Sequence, residues 1–469
     1  MTDYKLLIDG KLVDGDATLD VINPANGKVI AKAPRASREQ ALEAIAAAKA
    51  AQPGWAATPV EDRRAMLHRF ADEIDARAEE IARVLVEEQG KPMAEAGPEV
   101  AYSAIFVRYF ADMEIPVEVL QDDEAYHIEL RYKPLGVVVG ITPWNFPFLI
   151  PAHKLAAAVA LGNSFILKPA PTTPLTGLIL GQIAAGIFPA GVVNILVDDN
   201  NLGPLLTSHP DVAKVSFTGS TATGKHIMES SASTLKRLTL ELGGNDAGIV
   251  LEDADVEKTA KGVAASAFGN AGQVCIALKR LYVPDSIYEP MCEALAHEAE
   301  QIAMGDGLNQ GTTMGPMQNK AQYAKARHYM DIAKRDGKVI AGGEIPEGGG
   351  MFVQPTVVRD IEDGSPLVDE EQFAPILPVV RYQDGDIEGV LGRVNASDYG
   401  LGGSVWSSDV ERATGIAQRV ESGTVWVNHA THFGPHIPFG GAKQSGIGSE
   451  FALEGLLEFA QKSVISIAH

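Results

Sequence analysis

The pattern of apolar residues is most regular between residues 135 and 218. Runs such as GVVVGI, SFILK and VVNIL alternate there with helical patterns, one from about Phe148 to Leu161 and one from Pro174 to Gly186. Strands that are apolar throughout are typical of a parallel sheet with helices on both faces. The stretch therefore predicts an α/β unit of the nucleotide-binding type, whose ligands bind at the carboxyl ends of the strands.

Capping signals predict helices before this unit. Ser37 and Gln40 predict a capping box at the start of an alanine-rich helix. The sequence Thr58-Pro59-x-Glu61 predicts a second capping box, with proline at the first helical position and a helix that continues to about Gln89. A third helix is predicted over residues 93–112.

Three further segments of the chain are predicted to be extended. Asp-Gly and Asn-Gly turns between residues 5 and 30 predict short hairpin strands. Residues 117–132 alternate and predict a hairpin outside the main body, and residues 463–468 predict one exposed terminal strand. Unpaired strand edges favour pairing between subunits, so we expect a homo-oligomer.

A second α/β unit is predicted after Cys275. The strand patterns RLYVP, KVIAGG, ILPVV, GGSVW and GTVWVN are interleaved with helical patterns, two of them over residues 286–303 and 318–336. Residues 433–450, FGPHIPFGGAKQSGIGSE, are too rich in glycine for a regular element and predict a loop.

Composition narrows the class of protein. A chain of 469 residues predicts two to four domains, at about 150 residues per domain. Its hydrophobic fraction of 46% and charged fraction of 21% are those of a globular protein. The net charge of −22 argues against nucleic acid or an anionic membrane as a partner. The uncharged stretch 134–152 is interrupted by Pro143, Pro147 and Pro151 and predicts no membrane helix.

Cysteine content and the first residues bear on location. Two cysteines in so long a chain form no disulfide framework, which favours a reducing compartment. The start of the chain, MTDYKLLIDGKLVDG, lacks a basic segment followed by an apolar run, so we expect no signal peptide. These observations predict a cytoplasmic protein.

Candidate chemistry is concentrated between Glu241 and Cys275. Glu241 ends a strand pattern and precedes two glycines, and Cys275 follows GNAGQV, a backbone that a substrate can approach closely. A reachable thiol can act as a nucleophile and a carboxylate as its partner base. Each residue also has an ordinary explanation, because a lone cysteine is more often a buried hydrophobe, as we expect for Cys292, and most glutamates are surface groups.

Three loops that follow predicted strands carry further candidates. Residues 217–224, FTGSTATG, open a helix and bring glycine backbone and a helix N-terminus together, which suits a diphosphate. This differs from the usual GxGxxG pattern and is weak evidence alone. Lys168-Pro169 follows a second strand, and TPWNFP at residues 142–147 follows a third, where the prolines restrict the backbone.

Taken together, these motifs resemble one family. TPWNFP, Lys168-Pro169, FTGSTATG, ELGG, GQVC, EEQFAP and PFGGAKQSG occur in one order and at spacings similar to those of the NAD(P)-dependent aldehyde dehydrogenase family, over nearly the whole chain. The resemblance implies an aldehyde dehydrogenase-like α/β fold and a homodimer or homotetramer. The implied parts are a Rossmann-type cofactor domain (1–115 and 134–242), an α/β catalytic domain (243–448) and a small β oligomerisation arm (116–133 and 449–469).

The resemblance implies three catalytic residues. Cys275 resembles the nucleophile that attacks the aldehyde carbon, and the side-chain amide of Asn145 with the N–H of Cys275 resembles the oxyanion-binding pair. Hydride transfer to the nicotinamide then leaves a thioester. Glu241 resembles the general base that activates the water releasing the carboxylic acid.

The resemblance also implies a cofactor, NAD, with NADP as an alternative. The implied binding residues are Lys168 (adenosine ribose), Ser220 (diphosphate), Glu371 and Phe373 (nicotinamide ribose), and Trp144, Thr218 and Gly219 (cleft wall). NAD-preferring relatives often carry a glutamate three residues after the lysine. Pro171 occupies that position here, which leaves the choice between NAD and NADP open.

For the substrate, the tunnel of the family corresponds to Phe146, Ile150, His153, His429, Phe433 and Phe439. His153 stands where some semialdehyde-specific relatives carry an arginine, so an anionic aldehyde is one alternative. An aromatic or medium-chain aldehyde, which suits the phenylalanines, is the other. His429, His432 and His436 are spaced like metal ligands but lie on a predicted loop, so we expect no metal.

Three other functions are weighed against aldehyde oxidation. A CoA-acylating relative transfers the acyl group to CoA and needs no base, so Glu241 argues against it. A non-catalytic binding protein of the same fold would commonly have lost the cysteine or the asparagine, and both are present. Ester hydrolysis through Cys275 is expected only as a side activity.

Overall fold

A computed structural model describes residues 3–469 of the chain. The strands are β1 (Leu6–Ile8), β2 (Lys11–Val13), β3 (Ala17–Ile22), β4 (Val29–Arg35), β5 (Glu118–Asp122), β6 (Tyr126–Pro134), β7 (Val137–Ile141), β8 (Ser164–Lys168), β9 (Val193–Ile195), β10 (Val212–Thr218), β11 (Arg237–Glu241), β12 (Asp246–Val250), β13 (Leu278–Pro284), β14 (Lys338–Ala341), β15 (Thr356–Ile361), β16 (Ile376–Tyr382), β17 (Tyr399–Gly400), β18 (Gly402–Trp406), β19 (Thr424–Val427), β20 (Ala442–Lys443), β21 (Gly446–Ile447) and β22 (Ala460–Ala468).

The α-helices are α1 (Arg38–Ala57), α2 (Val60–Ala76), α3 (Ala78–Gln89), α4 (Met93–Asp112), α5 (Leu149–Ala160), α6 (Leu175–Ala185), α7 (Gly203–Ser208), α8 (Thr221–Ser231), α9 (Val256–Phe268), α10 (Tyr288–Glu300), α11 (Lys320–Asp336), α12 (Pro366–Asp369), α13 (Ile387–Asn395), α14 (Val410–Ala417) and α15 (Ala452–Leu457). Among the residues described, no helix is both long and apolar enough to cross a membrane.

The first sheet has the strand order β2-β1-β9-β8-β7-β10-β11-β21. Strands β7 to β11 in this sheet run parallel, while β1 and β21 are antiparallel to their neighbours. Every residue of β7 and β8 is buried, as the uninterrupted apolar runs predict. The carboxyl ends of β7, β8 and β10 therefore meet at one edge of the sheet.

The second sheet has the order β14-β15-β16-β13-β12-β18-β19, and only β14 is antiparallel to its neighbour. The chain passes from the first sheet to the second between Glu241, the last residue of β11, and Asp246, the first of β12. The chain returns to the first sheet at β21, where Gly446 pairs with Glu241. The predicted α/β class is confirmed.

Two of the predicted extended segments, residues 117–132 and 463–468, lie in a separate three-stranded sheet with the order β22-β6-β5. The terminal strand pairs with β6 over nine residues, from Ala460 opposite Pro134 to Ala468 opposite Tyr126. All five residues of β5 are exposed. The hairpin predicted over residues 117–132 is confirmed, and its edge carries exposed apolar side chains.

Two of the predictions about helix boundaries are wrong. Ser37 and Gln40 form the reciprocal capping box of α1, which confirms that prediction. The second predicted box is wrong, because Thr58 lies at the end of α1 and Pro59 precedes α2 without a side-chain cap. The single helix predicted up to Gln89 is two helices, α2 and α3, separated at Arg77.

Candidate active site

The carboxyl ends of β7, β8 and β10 open into a cavity of about 630 Å³. Trp144, in the loop after β7, and Lys168, the last residue of β8, line this cavity, and both are predicted to contact the cofactor. The cavity also contains three more of the predicted residues, Thr218, Gly219 and Ser220, and Pro171 lies in its wall. The structure thus brings together residues from three strand ends, as a ligand site of a parallel sheet requires.

One end of this cavity suits an anion. Ser220 is the N-cap of α8 and accepts a hydrogen bond from the N–H of Thr223 at 3.3 Å, so the helix N-terminus faces the cavity. Within residues 3–469, the hydroxyl oxygens of Thr142, Thr172 and Thr218 are buried without a hydrogen-bond partner. These donors fit the diphosphate and ribose groups of a dinucleotide, which would satisfy them.

A lysine occupies the other end. The Nζ of Lys168 lies 2.8 Å from Oδ1 of Asp198 and donates to Oδ1 of Asn200 at 3.1 Å. Asp198 is fully buried, so this pair fixes the ammonium at the end of β8. The lysine is therefore held in one position before any ligand binds.

Glu371 and Phe373 reach the site from the segment after α12. The rings of Phe373 and Trp144 are 5.6 Å apart and nearly perpendicular, a favourable edge-to-face pair. Oε1 of Glu371 accepts from the N–H of Gly244 at 2.9 Å. Phe373 has a φ of +50°, a strained conformation of the kind found at functional sites.

Cys275 and Glu241 line a second, smaller cavity of about 70 Å³. Thr218 lines both this cavity and the larger one, so the two cavities meet at the end of β10. The remaining lining residues are Phe146, Leu149, Ile150, His153, Val274, Ile276, Phe433, Phe439, Glu450 and Phe451. A thiol and a carboxylate that are distant in sequence thus face the same space.

The two glycines after Glu241 explain this proximity. A Cβ at Gly243 would lie 2.6 Å from Oε2 of Glu371, and a Cβ at Gly244 would lie 2.8 Å from the carbonyl oxygen of Cys275. The carboxylate of Glu371 ends a flexible side chain and can shift, whereas the carbonyl oxygen of Cys275 is part of the main chain. Glycine at position 244 therefore allows the backbone after β11 to touch the backbone at the cysteine.

The turn before Cys275 is strained. Asn270 and Ala271 have φ values of +48° and +54°, and a Cβ on Gly272, at φ +70°, would lie 2.5 Å from the backbone of Ala374. Left-handed backbone in residues other than glycine costs about 1–3 kcal/mol and persists where the surroundings impose it. The strained turn costs conformational energy, and it places Cys275 in the wall of the smaller cavity.

Burial raises the pKa of the Cys275 thiol to about 12. The carboxylates of Asp246 and Glu241 raise the pKa further, whereas the ammonium of Lys279 lowers it. Lys279 is itself buried and donates to the carbonyl oxygens of Val274, Cys275 and Ala277, at 3.1, 2.6 and 3.2 Å. Lys279 is therefore the main positive charge that favours the thiolate.

Glu241 is a buried acid with open acceptor positions. Its side chain is 3% exposed, and within the described part of the chain neither carboxylate oxygen has a hydrogen-bond partner. Burial raises the pKa of Glu241 well above its usual range; the carboxylate of Glu450 raises it too, and Lys154 lowers it. A raised pKa makes this carboxylate a stronger proton acceptor than an exposed glutamate, as a general base requires.

Asn145 is held by a buried network. The side-chain Nδ2 of Asn145 donates to the backbone carbonyl oxygen of Gln273 at 2.9 Å. The backbone carbonyl oxygen of Asn145 accepts from Nζ of Lys91 at 2.9 Å and from Nδ2 of Asn270 at 3.1 Å. Lys91 in turn pairs with Glu99. The amide is thus fixed against the turn that precedes Cys275.

Several site residues escaped the sequence analysis. Glu450 and Phe451 line the smaller cavity, and Glu450 pairs with Lys154, which is distant in sequence. Lys279 belongs to a strand whose pattern predicts only structure. A buried charge in an otherwise apolar element, such as Lys154 in α5, is the one local signal that could have indicated this network.

The three histidines that are spaced like metal ligands lie apart from these residues. His429, His432 and His436 are exposed, and none lines the smaller cavity. The rings of His429 and His432 lie 5.8 Å apart. Over residues 3–469, no group of three or more His, Cys, Asp or Glu side chains is arranged to hold a metal ion.

Comparison with known proteins agrees with this geometry. The family model described as aldehyde dehydrogenase family matches residues 12–465. The chain is 38% identical to aldehyde dehydrogenase LUC3 of Fusarium sp, covering 99% of this chain and 98% of the relative. It is 36% identical to the NADP(+) succinate-semialdehyde dehydrogenase GabD of Escherichia coli (strain K12), covering 97% and 96%.

A solved structure extends the likeness to three dimensions. Betaine aldehyde dehydrogenase from Staphylococcus aureus, in complex with NAD+, matches with a TM-score of 0.95 at 33% identity, covering 99% of this chain and 95% of that one. The chain belongs to the aldehyde dehydrogenase family and is an oxidoreductase.

Proposed function

We propose that this protein oxidises an aldehyde to the carboxylic acid, with NAD or NADP as the hydride acceptor, through a thiohemiacetal and a thioester on Cys275. The observation that carries this proposal is the shared cavity. Cys275 and Glu241 line one small cavity, which joins the dinucleotide-sized cavity at Thr218. The nucleophile, the base and the hydride acceptor can therefore meet at one point.

In the first step the thiol of Cys275 loses its proton to solvent and its Sγ bonds to the aldehyde carbon. The electron pair of the C=O π bond moves to the carbonyl oxygen, which becomes an oxyanion. The Nδ2 of Asn145 and the backbone N–H of Cys275 would donate to that oxygen. Asn145 would exchange its bond to the Gln273 carbonyl for the oxyanion. Donors of this kind act only on charge that develops after attack, and each contributes about 100-fold to 1,000-fold to the rate.

The cofactor, when bound, accepts the hydride that leaves the aldehyde carbon. Loss of the hydride converts the thiohemiacetal to a thioester. Lys168, the N-terminus of α8 with Ser220, and the clamp of Glu371 and Phe373 are the groups of this chain that would hold the dinucleotide. Their task is to orient the acceptor toward the cavity of Cys275.

Glu241 completes the reaction by acting on water. Its unpartnered carboxylate oxygens can accept a proton from a water molecule, whose oxygen then attacks the thioester carbon. The bond from carbon to Sγ breaks, the acid leaves, and the thiolate recovers a proton. The net products are the carboxylic acid, the reduced cofactor and one proton.

The decisive experiment measures reduced cofactor and acid with Cys275→Ala, Glu241→Gln and Cys292→Ala variants. Cys275→Ala should lose about 1,000-fold or more in rate, because no other thiol reaches the cavity. Glu241→Gln should keep one rapid turnover and lose the steady rate, because the thioester forms but is not hydrolysed. Cys292 is buried in α10, so its variant is the matched control. Full activity of Cys275→Ala would refute the proposal.

We also infer that the enzyme assembles through the β22-β6-β5 sheet in a reducing compartment. The sheet exposes Val119, Val464 and Ile467 at 56%, 59% and 51%. Isolated apolar residues are common on surfaces, but a row along sheet edges favours burial against another subunit. Cys275 and Cys292 are both free thiols, which suits reducing conditions.

A further inference from the structure

The walls of the smaller cavity are apolar and aromatic. Four phenylalanines, Phe146, Phe433, Phe439 and Phe451, surround the space in front of Cys275. Phe451 lies at their centre, with ring centroids 6.2 Å from Phe433 and 5.5 Å from Phe439. Burying apolar surface contributes about 25 cal/mol per Å², so an apolar substrate body gains from this wall.

No lysine or arginine lines this cavity among the residues that the structure describes. The titratable groups that face it are Cys275, Glu241, Glu450 and His153. Two of these are carboxylates. A substrate carboxylate placed here would lose its hydration and meet like charges, a combination that disfavours the charged form strongly.

The nearby cations are already paired behind the wall. Lys154 pairs with Glu450, and its Nζ also donates to Ser216 at 2.8 Å. Lys91, whose Nζ lies 3.9 Å from the ring centroid of Phe146, pairs with Glu99. Both ammonium groups are fully buried. Neither lysine is among the described residues that line the cavity.

His153 is the remaining group that could carry a positive charge. Its side chain is 3% exposed, its ring lies 5.0 Å from Phe451 and 5.9 Å from Phe106, and its Nε2 lies 3.4 Å from Oε2 of Glu450. Burial lowers the pKa of His153 to about 4, despite the opposing effect of Glu450. The imidazole is therefore neutral at physiological pH and acts as part of the aromatic wall.

The outer approach leads to the same conclusion. A vestibule of about 510 Å³ shares Phe146, Leu149 and Phe433 with the inner cavity, so a longer substrate can extend into it. Its charged groups are Glu95 and Glu99. Glu95 accepts from the N–H of Asn270, and Glu99 is neutralised by Lys91. An anionic tail finds no cationic partner there either.

We propose that the substrate is an uncharged aldehyde with an apolar body, and that His153 is the residue that sets this preference. The inference rests on the proposed aldehyde oxidation. It separates this chain from its Escherichia coli relative, which is named for an anionic semialdehyde. The apolar wall suits either an aromatic ring or an alkyl chain, so the test includes one aromatic and one aliphatic pair of substrates.

The test uses matched substrate pairs that differ only in a carboxylate. One pair is 4-methylbenzaldehyde and 4-carboxybenzaldehyde, and the other is butanal and succinate semialdehyde, each with NAD and with NADP. We expect kcat/KM to favour the uncharged member of each pair by at least about 100-fold, because a buried unpaired charge costs far more than a missing contact. A carboxylated member within tenfold of its partner would overturn the inference.

Variants at position 153 test the assigned residue. His153→Arg, which adds a cation, should raise the ratio of carboxylated to uncharged kcat/KM at least about tenfold, mainly through KM. His153→Gln remains neutral and should leave that ratio within a fewfold of the parent value. His328→Arg, on the exposed face of α11, controls for the added charge.

The outcomes separate three failures. An equal ratio in His153→Arg and His153→Gln would refute the role of His153. Efficient oxidation of carboxylated aldehydes by the unmodified enzyme would refute the substrate class while supporting aldehyde oxidation. No turnover of any aldehyde with either cofactor would refute the proposed function, and the substrate class with it. The parent enzyme decides the substrate class even if His153→Arg does not fold.

Discussion

Lys279 donates a hydrogen bond from Nζ to the carbonyl oxygen of Cys275 at 2.6 Å, which holds a buried ammonium beside the proposed nucleophile. The thiolate is the reactive form of cysteine, and burial disfavours it here. The ammonium of Lys279, held beside the backbone of Cys275, opposes the effect of burial and favours the thiolate. The contact therefore connects the packing of β13 to the reactivity of the thiol.

Replacing Lys279 with Met should slow the reaction of Cys275 with iodoacetamide at every pH by about threefold to tenfold. This factor corresponds to a loss of about 0.7–1.4 kcal/mol in the stabilisation of the thiolate. The measurement is the second-order alkylation rate in a Cys292→Ser background, so that only Cys275 is counted. Lys261→Met, on the exposed face of α9, removes the same charge far from the cavity and should leave the rate unchanged. Equal rates in both variants would show that Lys279 acts only structurally.

The alkylation rate of the unmodified enzyme should rise about tenfold for each pH unit between pH 7 and 9, because the thiolate fraction grows in that proportion below the pKa. Burial raises the pKa of Cys275 to about 12, so no plateau is expected in this range. The rate is measured without cofactor. A plateau near pH 7 would mean that the thiol of the free enzyme is already ionised.

Replacing Lys91 with Met should destabilise the protein and slow catalysis together. Lys91 Nζ lies 2.5 Å from Oε2 of Glu99, and both side chains are 1% exposed. Breaking a buried pair from one side costs about 3–5 kcal/mol, and the Asn145 carbonyl also loses a donor. Chemical denaturation and kcat are the measurements.

The exposed pair of Arg419 and Glu388 provides the control for that experiment. Glu388→Gln should leave the denaturation midpoint and kcat unchanged, since exposed ion pairs contribute little. If Lys91→Met behaved in the same way, the pair would have no part in fixing the Asn145 segment.

Replacing Lys168 with Ala should raise KM for the cofactor about tenfold and leave kcat nearly unchanged. The reason is that Lys168 would contact the cofactor equally in the ground state and the transition state, which alters binding alone. Titration of Trp144 fluorescence with NAD and NADP, together with initial rates, measures the effect. A fall in kcat with unchanged KM would place Lys168 near the chemical step instead.

The exposed edge of the three-stranded sheet should control assembly. Val464→Glu combined with Ile467→Glu places two charges on β22, and we expect the mass measured by light scattering to fall toward that of one chain. Val410→Glu is the control, because Val410 is 57% exposed on α14, away from this sheet. An unchanged mass in the double variant would exclude β22 from the interface.

The strands and their ends were predictable because their signals are local. Uninterrupted apolar runs identified β7 and β8; Asn145 lies in the loop after β7, and Lys168 is the last residue of β8. The glycines near Glu241 and Cys275 marked both residues as candidates for a base and a nucleophile, and the structure shows that Gly244 lies against the backbone of Cys275. The family resemblance supplied their roles in aldehyde oxidation.

The rest depends on contacts between distant residues. Glu450 is recognisable as a site residue only through Lys154 and His153, which lie in another part of the sequence. Lys279 gives no signal until its three carbonyl partners are seen. The break at Arg77 contains neither glycine nor proline, so nothing in the local sequence divides α2 from α3.

The backbone contact at Gly244 has a consequence for engineering. A Cβ at this position would lie 2.8 Å from the Cys275 carbonyl oxygen, so main chain alone sets the spacing between the segments of the acid and the thiol. The cavity walls, by contrast, are side chains such as Ile150 and Phe439. A library that varies those walls can therefore evolve new selectivity on an unchanged reaction centre, while substitutions at the glycine pair have no place in it.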